Sequence, residues 1–262
     1  MADLILPILI GWALGYMVNY LSDTLPVTRR LSQPTCANCK NAVGLADFML
    51  GRSCRHCGRS RFIRVWSVLI LLSAMSGYIW LNPPHNLGYL LGLALITYFA
   101  VVFVIDMENR QILHSTSLVG AGLALIAGSL AHGIANSFIG GVAGFLIMLI
   151  LYYFGELFAR YRTRRMEASG AAADDEEVLG GGDVILAGVL GLALGWPLIW
   201  FGILLGILLG GVYGILLVLA MVVTRNIKGR ALSIFMPYGP FFIVSATFII
   251  FLPGLIRNML PG

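Results

Sequence analysis

Long apolar runs separated by short polar stretches dominate this chain and most constrain its fold. A membrane-spanning helix needs about 20 mainly apolar residues to cross roughly 30 Å of hydrocarbon. Only 11% of the residues are charged, against roughly 25% in a soluble domain. The chain therefore predicts an all-α polytopic membrane protein with about eight transmembrane helices. The candidate spans are 3–21, 65–82, 87–105, 115–132, 137–159, 183–195, 198–223 and 238–259.

The basic residues predict how these helices are oriented. Of the 17 lysines and arginines, 16 fall in alternate loops between the runs. Because cytoplasmic loops are enriched in lysine and arginine, we expect these loops in the cytoplasm and both termini outside it. The same distribution explains the net charge of +5, so no nucleic-acid partner is expected.

Two aspartates lie where apolar runs meet water. Asp106 ends the third run, and Asp183 begins the sixth directly after Gly180, Gly181 and Gly182. An aspartate costs roughly 2.5 to 3.5 kcal/mol at the centre of a membrane helix and less near its ends. The predicted topology puts both carboxylates at the cytoplasmic face. We therefore expect them to form an acid–base pair.

Each aspartate also has a structural explanation. Asp183 lies where an acid caps the start of a helix, which contributes about 0.3 to 1 kcal/mol. Asp106 lies one turn before Arg110, which would serve as a salt-bridge partner. The sequence leaves both explanations open.

The four cysteines lie together in the loop between the first two runs. Cys36 and Cys39 form one C-x2-C pair, and Cys54 and Cys57 form a second one after fourteen residues. This spacing is typical of a tetrahedral zinc site with four thiolate ligands, which leaves no open position for catalysis. Gly58 allows a tight turn after the second pair. An iron site is the alternative metal centre, and two disulfides are disfavoured in a reducing cytoplasm.

These features divide the chain into three parts. Residues 1–25 are predicted to form the first membrane helix, 26–64 a small cytoplasmic zinc module, and 65–262 the remaining seven helices. Within the last part, a loop at about 162–178 combines small residues with a run of acids at 174–177. This composition predicts a flexible, solvated loop.

Five features follow one another along the chain: Gly15 with Asn19 and Leu25-Pro26, the paired cysteines, Asp106-Met-Glu108, Gly180-Gly181-Gly182-Asp183, and Pro237-Tyr-Gly-Pro240. Together they resemble the type IV prepilin peptidases, the bacterial aspartic membrane proteases of the GxGD type. The resemblance covers nearly the whole chain.

The resemblance implies an aspartic endopeptidase of the bacterial inner membrane. Asp106 and Asp183 would be catalytic, with Glu108 and the three glycines in support. The partners it implies are membrane lipids and a prepilin or pseudopilin helix, whose short basic leader is cleaved for a type IV pilus or type II secretion. The acids at Glu108 and 174–177 are candidates for attracting that leader. The family's second activity, N-methylation of the new terminus, implies S-adenosylmethionine as a cofactor. The sequence does not indicate an oligomeric state.

The chain departs from the family's pattern at three places. His114 and Ser115 stand where the family usually has proline and aspartate. Ile185 stands where a lysine is common, and Leu69 stands where the family often has a glutamate. The change at Leu69 bears on methylation more than on peptide cleavage.

Two other functions are open on the sequence. An ion-coupled transporter or channel would use the aspartates as relays, and it predicts acids deep in the bilayer and an internal repeat. Here both acids lie at the ends of runs, and no repeat is evident. An inactive assembly scaffold of the same fold is the second alternative, which the departures from the family's pattern leave open.

Overall fold

The computed structural model describes residues 2–36, 38–168, 180–223 and 237–256. The chain forms two compact units, residues 1–113 and residues 114–262. Within the described residues the regular structure is helical, and an isolated bridge between Thr35 and Ala42 is the one strand-like pairing. The predicted all-α fold is confirmed.

Four helices form the described part of the first unit. They are α1 (Ala2–Thr28), α2 (Leu45–Met49), α3 (Phe62–Leu81) and α4 (Gly88–Asn109). All except the single-turn α2 are long and apolar enough to cross a membrane. Helix α1 continues past Pro26, where the sequence predicts its exit. A proline removes only one backbone donor, and the N–H of Arg29 still donates to the carbonyl of Leu25 at 3.0 Å.

Small residues of α1 bring its backbone close to α3. A β-carbon on Gly11 would lie 2.6 Å from the carbonyl oxygen of Leu72, so no larger residue fits without a shift. The fully buried amide of Asn19 donates to the carbonyl oxygens of Gly15 at 2.9 Å and Val65 at 3.4 Å. Small residues and interhelical hydrogen bonds are the usual means of helix packing in membranes.

The second unit is also helical throughout its described residues. Its helices are α5 (His114–His132), α6 (Ile134–Ala168), α7 (Gly181–Leu194), α8 (Leu198–Val223), α9 (Gly239–Phe251) and α10 (Pro253–Ile256). Helices α5, α6 and α8 are long enough to cross a membrane, whereas α7 and α9 have 14 and 13 residues. Each of the eight predicted spans thus contains a helix, and six of these helices reach spanning length.

Two helix ends differ from the prediction. Helix α7 ends at Leu194, one residue before the predicted end, and the φ of 71° at Gly195 turns the chain into Trp196-Pro197. Helix α6 continues to Ala168, so the first part of the predicted loop at 162–178 is helical. Residues 169–179, which carry the acids, lie outside the described residues.

Helix α7 packs against α5, α6, α8 and α9 in the second unit. Glycines make this packing close: a β-carbon on Gly140 of α6 would lie 2.5 Å from the carbonyl oxygen of Gly191 of α7. Similarly, a side chain on Gly206 of α8 would clash with Phe242 of α9. The helix that carries Asp183 in its first turn is therefore tightly packed against its neighbours.

Candidate active site and metal centre

Asp106 is a buried carboxylate in the last turn of α4, with 3% of the residue exposed. The helix ends at Arg110, which has a left-handed φ of 53° and donates its backbone N–H to the Asp106 carbonyl at 2.8 Å. Among the described residues, no ion pair joins the two side chains, and Asp106 Oδ2 has no hydrogen-bond partner. A structural salt bridge to Arg110 therefore does not explain Asp106. A buried polar atom without a partner, such as this Oδ2, costs about 1 to 3 kcal/mol.

A network of ion pairs fixes the neighbourhood of Asp106. Arg64 of α3 contacts Glu108 of α4 at 3.2 Å and Asp23 of α1 at 2.8 Å. Arg61 contacts the same Asp23 at 2.5 Å. The Asp23 and Arg61 side chains are 2% and 7% exposed. Glu108, two residues after Asp106, is thereby anchored to α3, which is compatible with its predicted supporting role.

Asp183 is the third residue of α7 and is 8% exposed. The chain enters the helix through Gly180, which is extended and accepts the N–H of Asp183 at 3.0 Å. A β-carbon on Gly180 would lie 3.7 Å from Asp183 Oδ2, so the carboxylate lies near the start of the helix. The helix dipole favours an acid in this turn. The structural explanation of Asp183 thus fits its position as well as the catalytic one does.

The other glycines of the motif form the first turn of α7, not a separate turn before it. Gly181 and Gly182 are helical, and neither has a positive φ. A β-carbon on Gly181 would have no described atom within 4 Å. The described fold does not itself require a glycine at this position, and its supporting role stays a prediction.

The four cysteines come together within the first unit. All four sulfur atoms lie within 4.8 Å of one another, with 3.5 Å between Cys36 and Cys57 and 3.6 Å between Cys39 and Cys54. A tetrahedral zinc ion with Zn–S distances of about 2.3 Å separates its sulfur ligands by about 3.8 Å. A disulfide bond needs about 2.05 Å, so these cysteines are free thiols. The cluster fits a metal ion such as zinc.

The two C-x2-C pairs form equivalent tight turns. The N–H of Lys40 donates to the carbonyl of Cys36, and the N–H of Gly58 donates to the carbonyl of Cys54, both at 2.8 Å. The residue after each pair is left-handed, with φ of 58° at Lys40 and 70° at Gly58. The predicted conformation of Gly58 is confirmed. Lys40 adopts it without the freedom of a glycine, because the first turn needs the same backbone.

The protein sets different pKa values for thiols of this cluster. The backbone N–H of Arg59 and the side chain of Asn38 lower the pKa of Cys57 to about 6. The backbone N–H of Asn41 lowers the pKa of Cys39, but burial and neighbouring thiols raise it to about 11. Thiolates are the form that binds metal. Four thiolates would fill a zinc ion's tetrahedral shell, so zinc here would be structural.

The middle of the chain matches the model of a known protein family. Residues 93–215 match the family model described as the type IV leader peptidase family. This match supports a prepilin peptidase family member. The predicted resemblance is thereby confirmed for this segment, and the family implies a leader peptidase-like protease in a multi-pass membrane protein. No curated protein and no solved structure matches the chain significantly.

The matched prepilin peptidase segment contains both Asp106 and Asp183, while the four cysteines precede it. Asp106 belongs to the first unit and Asp183 to the second. Each carboxylate is described within its own unit, so the pairing of the two stays a prediction.

An apolar groove of about 480 Å³ lies between α5, α6 and α7 of the second unit. Ile185 and His114, two positions that depart from the prepilin peptidase pattern, both line this groove. Ile185 lies within one helical turn of Asp183. Ser115 is exposed at the start of α5. The lysine common in the family is thus replaced by an apolar wall near one candidate carboxylate.

Leu69 shows what replaces the prepilin peptidase glutamate. It is a fully buried residue of α3 that packs against α1, and its Cδ2 lies 2.9 Å from the place of a β-carbon on Gly15. A leucine packed between two helices offers no polar group to a bound cofactor. The residue present here therefore does not fit a site for S-adenosylmethionine.

Proposed function

We propose that this protein is a membrane-embedded aspartic endopeptidase that cleaves the leader of type IV prepilin-like proteins, with Asp106 and Asp183 as its catalytic pair. The observation that carries the proposal is the buried Asp106 carboxylate, whose Oδ2 has no partner among the described residues. It lies within the segment that matches the leader peptidase family, and so does the buried Asp183.

The order of the helices supports one membrane face for both aspartates. Asp106 lies in the last turn of α4, and Asp183 lies in the first turn of α7. Between them along the chain are α5 and α6, both long enough to cross a membrane. Two crossings return the chain to the face that it left. The distribution of basic loops supports the cytoplasmic face, with both termini on the other side.

In the proposed reaction the two carboxylates share one proton, because two negative charges in one site repel each other. The ionised carboxylate takes a proton from water while the water oxygen attacks the scissile carbonyl carbon. The protonated carboxyl gives its proton to the carbonyl oxygen, which forms a tetrahedral diol. As the diol collapses, one of its hydroxyl protons passes to the ionised carboxylate, and the protonated carboxyl gives its proton to the leaving nitrogen as the C–N bond breaks. The pair titrates as a unit, so neither aspartate is assigned as acid or base alone.

The proposed substrate has a basic leader followed by an apolar helix. The apolar groove of the second unit supports this class, because its wall at Ile185 begins within one turn of Asp183. Glu108 is a weaker candidate for attracting the leader than the sequence suggests, since it is paired with Arg64 at 3.2 Å. The acids at 174–177 stay candidates and lie outside the described residues.

The metal and the methyl donor have different places in this proposal. Zinc at the four cysteines would hold the module together and would take no part in peptide cleavage. Methyl transfer is left out of the proposed function, because the buried Leu69 replaces the family's glutamate with an apolar contact. A transporter gains no support from the structure, because Asp106 and Asp183 lie in terminal turns of their helices instead of at mid-span.

The test is cleavage of a defined substrate by the purified full chain in lipid. The substrate is a peptide with a basic leader, a glycine before the cut and an apolar helix, and mass spectrometry identifies the products. We expect the native protein and Asp3→Asn, which alters an exposed aspartate in α1, to cleave after the glycine. Asp106→Asn should leave the substrate intact. An inert native protein would contradict the proposal and favour the scaffold alternative. Equal cleavage by Asp106→Asn would contradict the catalytic role of Asp106.

A further inference from the structure

A cavity of about 360 Å³ lies in the first unit where α1 ends, α3 begins and α4 ends. Most of its lining residues are charged: Asp23, Arg59, Arg61, Arg64 and Glu108. Asp106 does not line it. The cavity is therefore distinct from the carboxylate at which the proposed cleavage takes place, although it shares Glu108 with the support of Asp106.

Arg61 defines the chemistry of this cavity. Its Nη1 contacts Asp23 at 2.5 Å, and the Phe48 ring lies 5.4 Å from the guanidinium carbon. Its two other nitrogens, Nε and Nη2, are buried and have no hydrogen-bond partner among the described residues. These two nitrogens form one edge of the guanidinium, with two parallel N–H donors. Such an edge binds a carboxylate or a phosphate group through two oxygens at once.

The neighbouring charges favour an anion at this edge. Arg64 Nε is also buried without a hydrogen-bond partner in the described structure, and Arg59 adds a third guanidinium. The two carboxylates of the lining, Asp23 and Glu108, are already engaged in ion pairs with the arginines. Cys36 is the remaining titratable residue of the lining. Buried donors in proteins are nearly always satisfied by protein groups or ordered water. An oxyanion in the cavity would supply oxygen atoms to the unpaired nitrogens.

The position of the cavity narrows the class of ligand. Helices α1, α3 and α4 are each long enough to cross a membrane, and the cavity lies at their ends. The ends of spanning helices lie at the depth of the lipid headgroups. We propose that this cavity binds a phosphate-type oxyanion, held by the Nε–Nη2 edge of Arg61 with Arg59 and Arg64 beside it. An anionic phospholipid headgroup and free phosphate both supply this chemistry.

Two probes distinguish these sources on the full-length purified protein. Equilibrium dialysis in a neutral detergent measures the binding of radiolabelled inorganic phosphate. Native mass spectrometry of protein taken from phosphatidylcholine discs that contain phosphatidylglycerol measures the retention of the anionic lipid. We expect one of the two to bind saturably at one site. Binding of phosphate assigns the site to the free anion, and retention of phosphatidylglycerol without phosphate binding assigns it to the headgroup.

Three variants test whether the cavity is the site. Arg61→Lys keeps the charge beside Asp23 but removes the two-donor edge, so binding should weaken about tenfold, as for the loss of a charge-assisted hydrogen bond. Arg59→Gln changes an exposed residue of the lining and should weaken binding severalfold. Arg52→Gln is the matched control, because Arg52 is an exposed arginine of the same module that does not line the cavity.

The proposal is overturned if neither probe binds the native protein. It is also overturned if Arg61→Lys and Arg59→Gln bind as the native protein does, or if Arg52→Gln weakens binding equally. Should Arg61→Lys fail to fold, Arg59→Gln decides alone, because its exposed side chain makes no described ion pair.

Discussion

Arg64 of α3 contacts Glu108 of α4 at 3.2 Å, two residues beyond the buried Asp106. The pair anchors the end of the helix that presents Asp106. Glu108→Gln removes the charge but leaves Arg64 paired with Asp23 at 2.8 Å. Because Glu108 is 25% exposed, we expect the variant to lose no more than about 1 kcal/mol of stability. Cleavage should fall by about three- to tenfold as Asp106 is held less firmly.

Thermal unfolding and the cleavage rate of Glu108→Gln measure these two effects. The matched control is Glu156→Gln, which alters a partly exposed glutamate paired with Arg160 within α6. This control should cleave as the native protein does. A loss of activity in Glu108→Gln as complete as in Asp106→Asn would show that Glu108 does more than anchor its helix.

Asp23 should contribute strongly to the stability of the first unit. It is 2% exposed and is ion-paired with both Arg61 and Arg64. Asp23→Asn therefore leaves the buried guanidinium of Arg61 without a countercharge and leaves Arg64 paired with Glu108 alone. Removing one partner of a buried ion pair costs about 3 to 5 kcal/mol. Thermal unfolding in detergent should show this loss. Asp47→Asn is the control, because its partners Arg52 and Arg55 are largely exposed, and an equal loss in both variants would contradict the prediction.

The four-cysteine cluster should hold one metal ion. Elemental analysis of the purified chain should find about one zinc ion for each protein molecule. Cys36→Ser should lose the metal, because it removes one of four sulfur atoms that lie within 4.8 Å of one another. His56→Ala changes an exposed residue between Cys54 and Cys57 and should keep it. Iron in place of zinc would support the alternative metal, and a folded native protein without metal would contradict the site.

The local motifs explain why much of this site could be predicted from sequence. The turn after Cys57 is set by a few neighbouring residues, and Gly58 adopts the predicted backbone. The apolar runs likewise predict helices because lipid leaves the backbone no other arrangement. By contrast, the network around Asp23 was missed. It joins residues about 40 and 85 positions apart, and no short spacing reports which arginine of a basic loop reaches a given acid.

Helix ends were also harder to predict than helices. Helix α1 passes Pro26 and α6 reaches Ala168, because backbone hydrogen bonds continue a helix beyond its apolar run. Helix α7 is shorter than a full span because Gly195 turns the chain before Trp196-Pro197. The pairing of Asp106 with Asp183 depends on contacts far apart in the sequence, and it stays a prediction.

The apolar groove of the second unit should contribute to substrate binding. Leu118 lines the groove and is 78% exposed, whereas Val119 is 68% exposed on the same helix and does not line it. Leu118→Trp should fill part of the groove and raise KM about tenfold, because burial of roughly one apolar side chain is lost. Val119→Trp, the matched control, should leave KM unchanged. Steady-state cleavage in lipid discs measures the KM of both variants. Equal KM values for Leu118→Trp and Val119→Trp would exclude the groove from substrate binding.

The central claim is that Asp106 and Asp183 act as one catalytic unit. The most direct test compares the cleavage rates of Asp106→Asn, Asp183→Asn and the double variant on the same substrate. Residues that act as a unit show strongly non-additive losses. We expect each single variant to lose about a thousandfold or more, and the double variant to be no slower than either. Losses that multiply in the double variant, or one single variant with nearly native activity, would contradict the account.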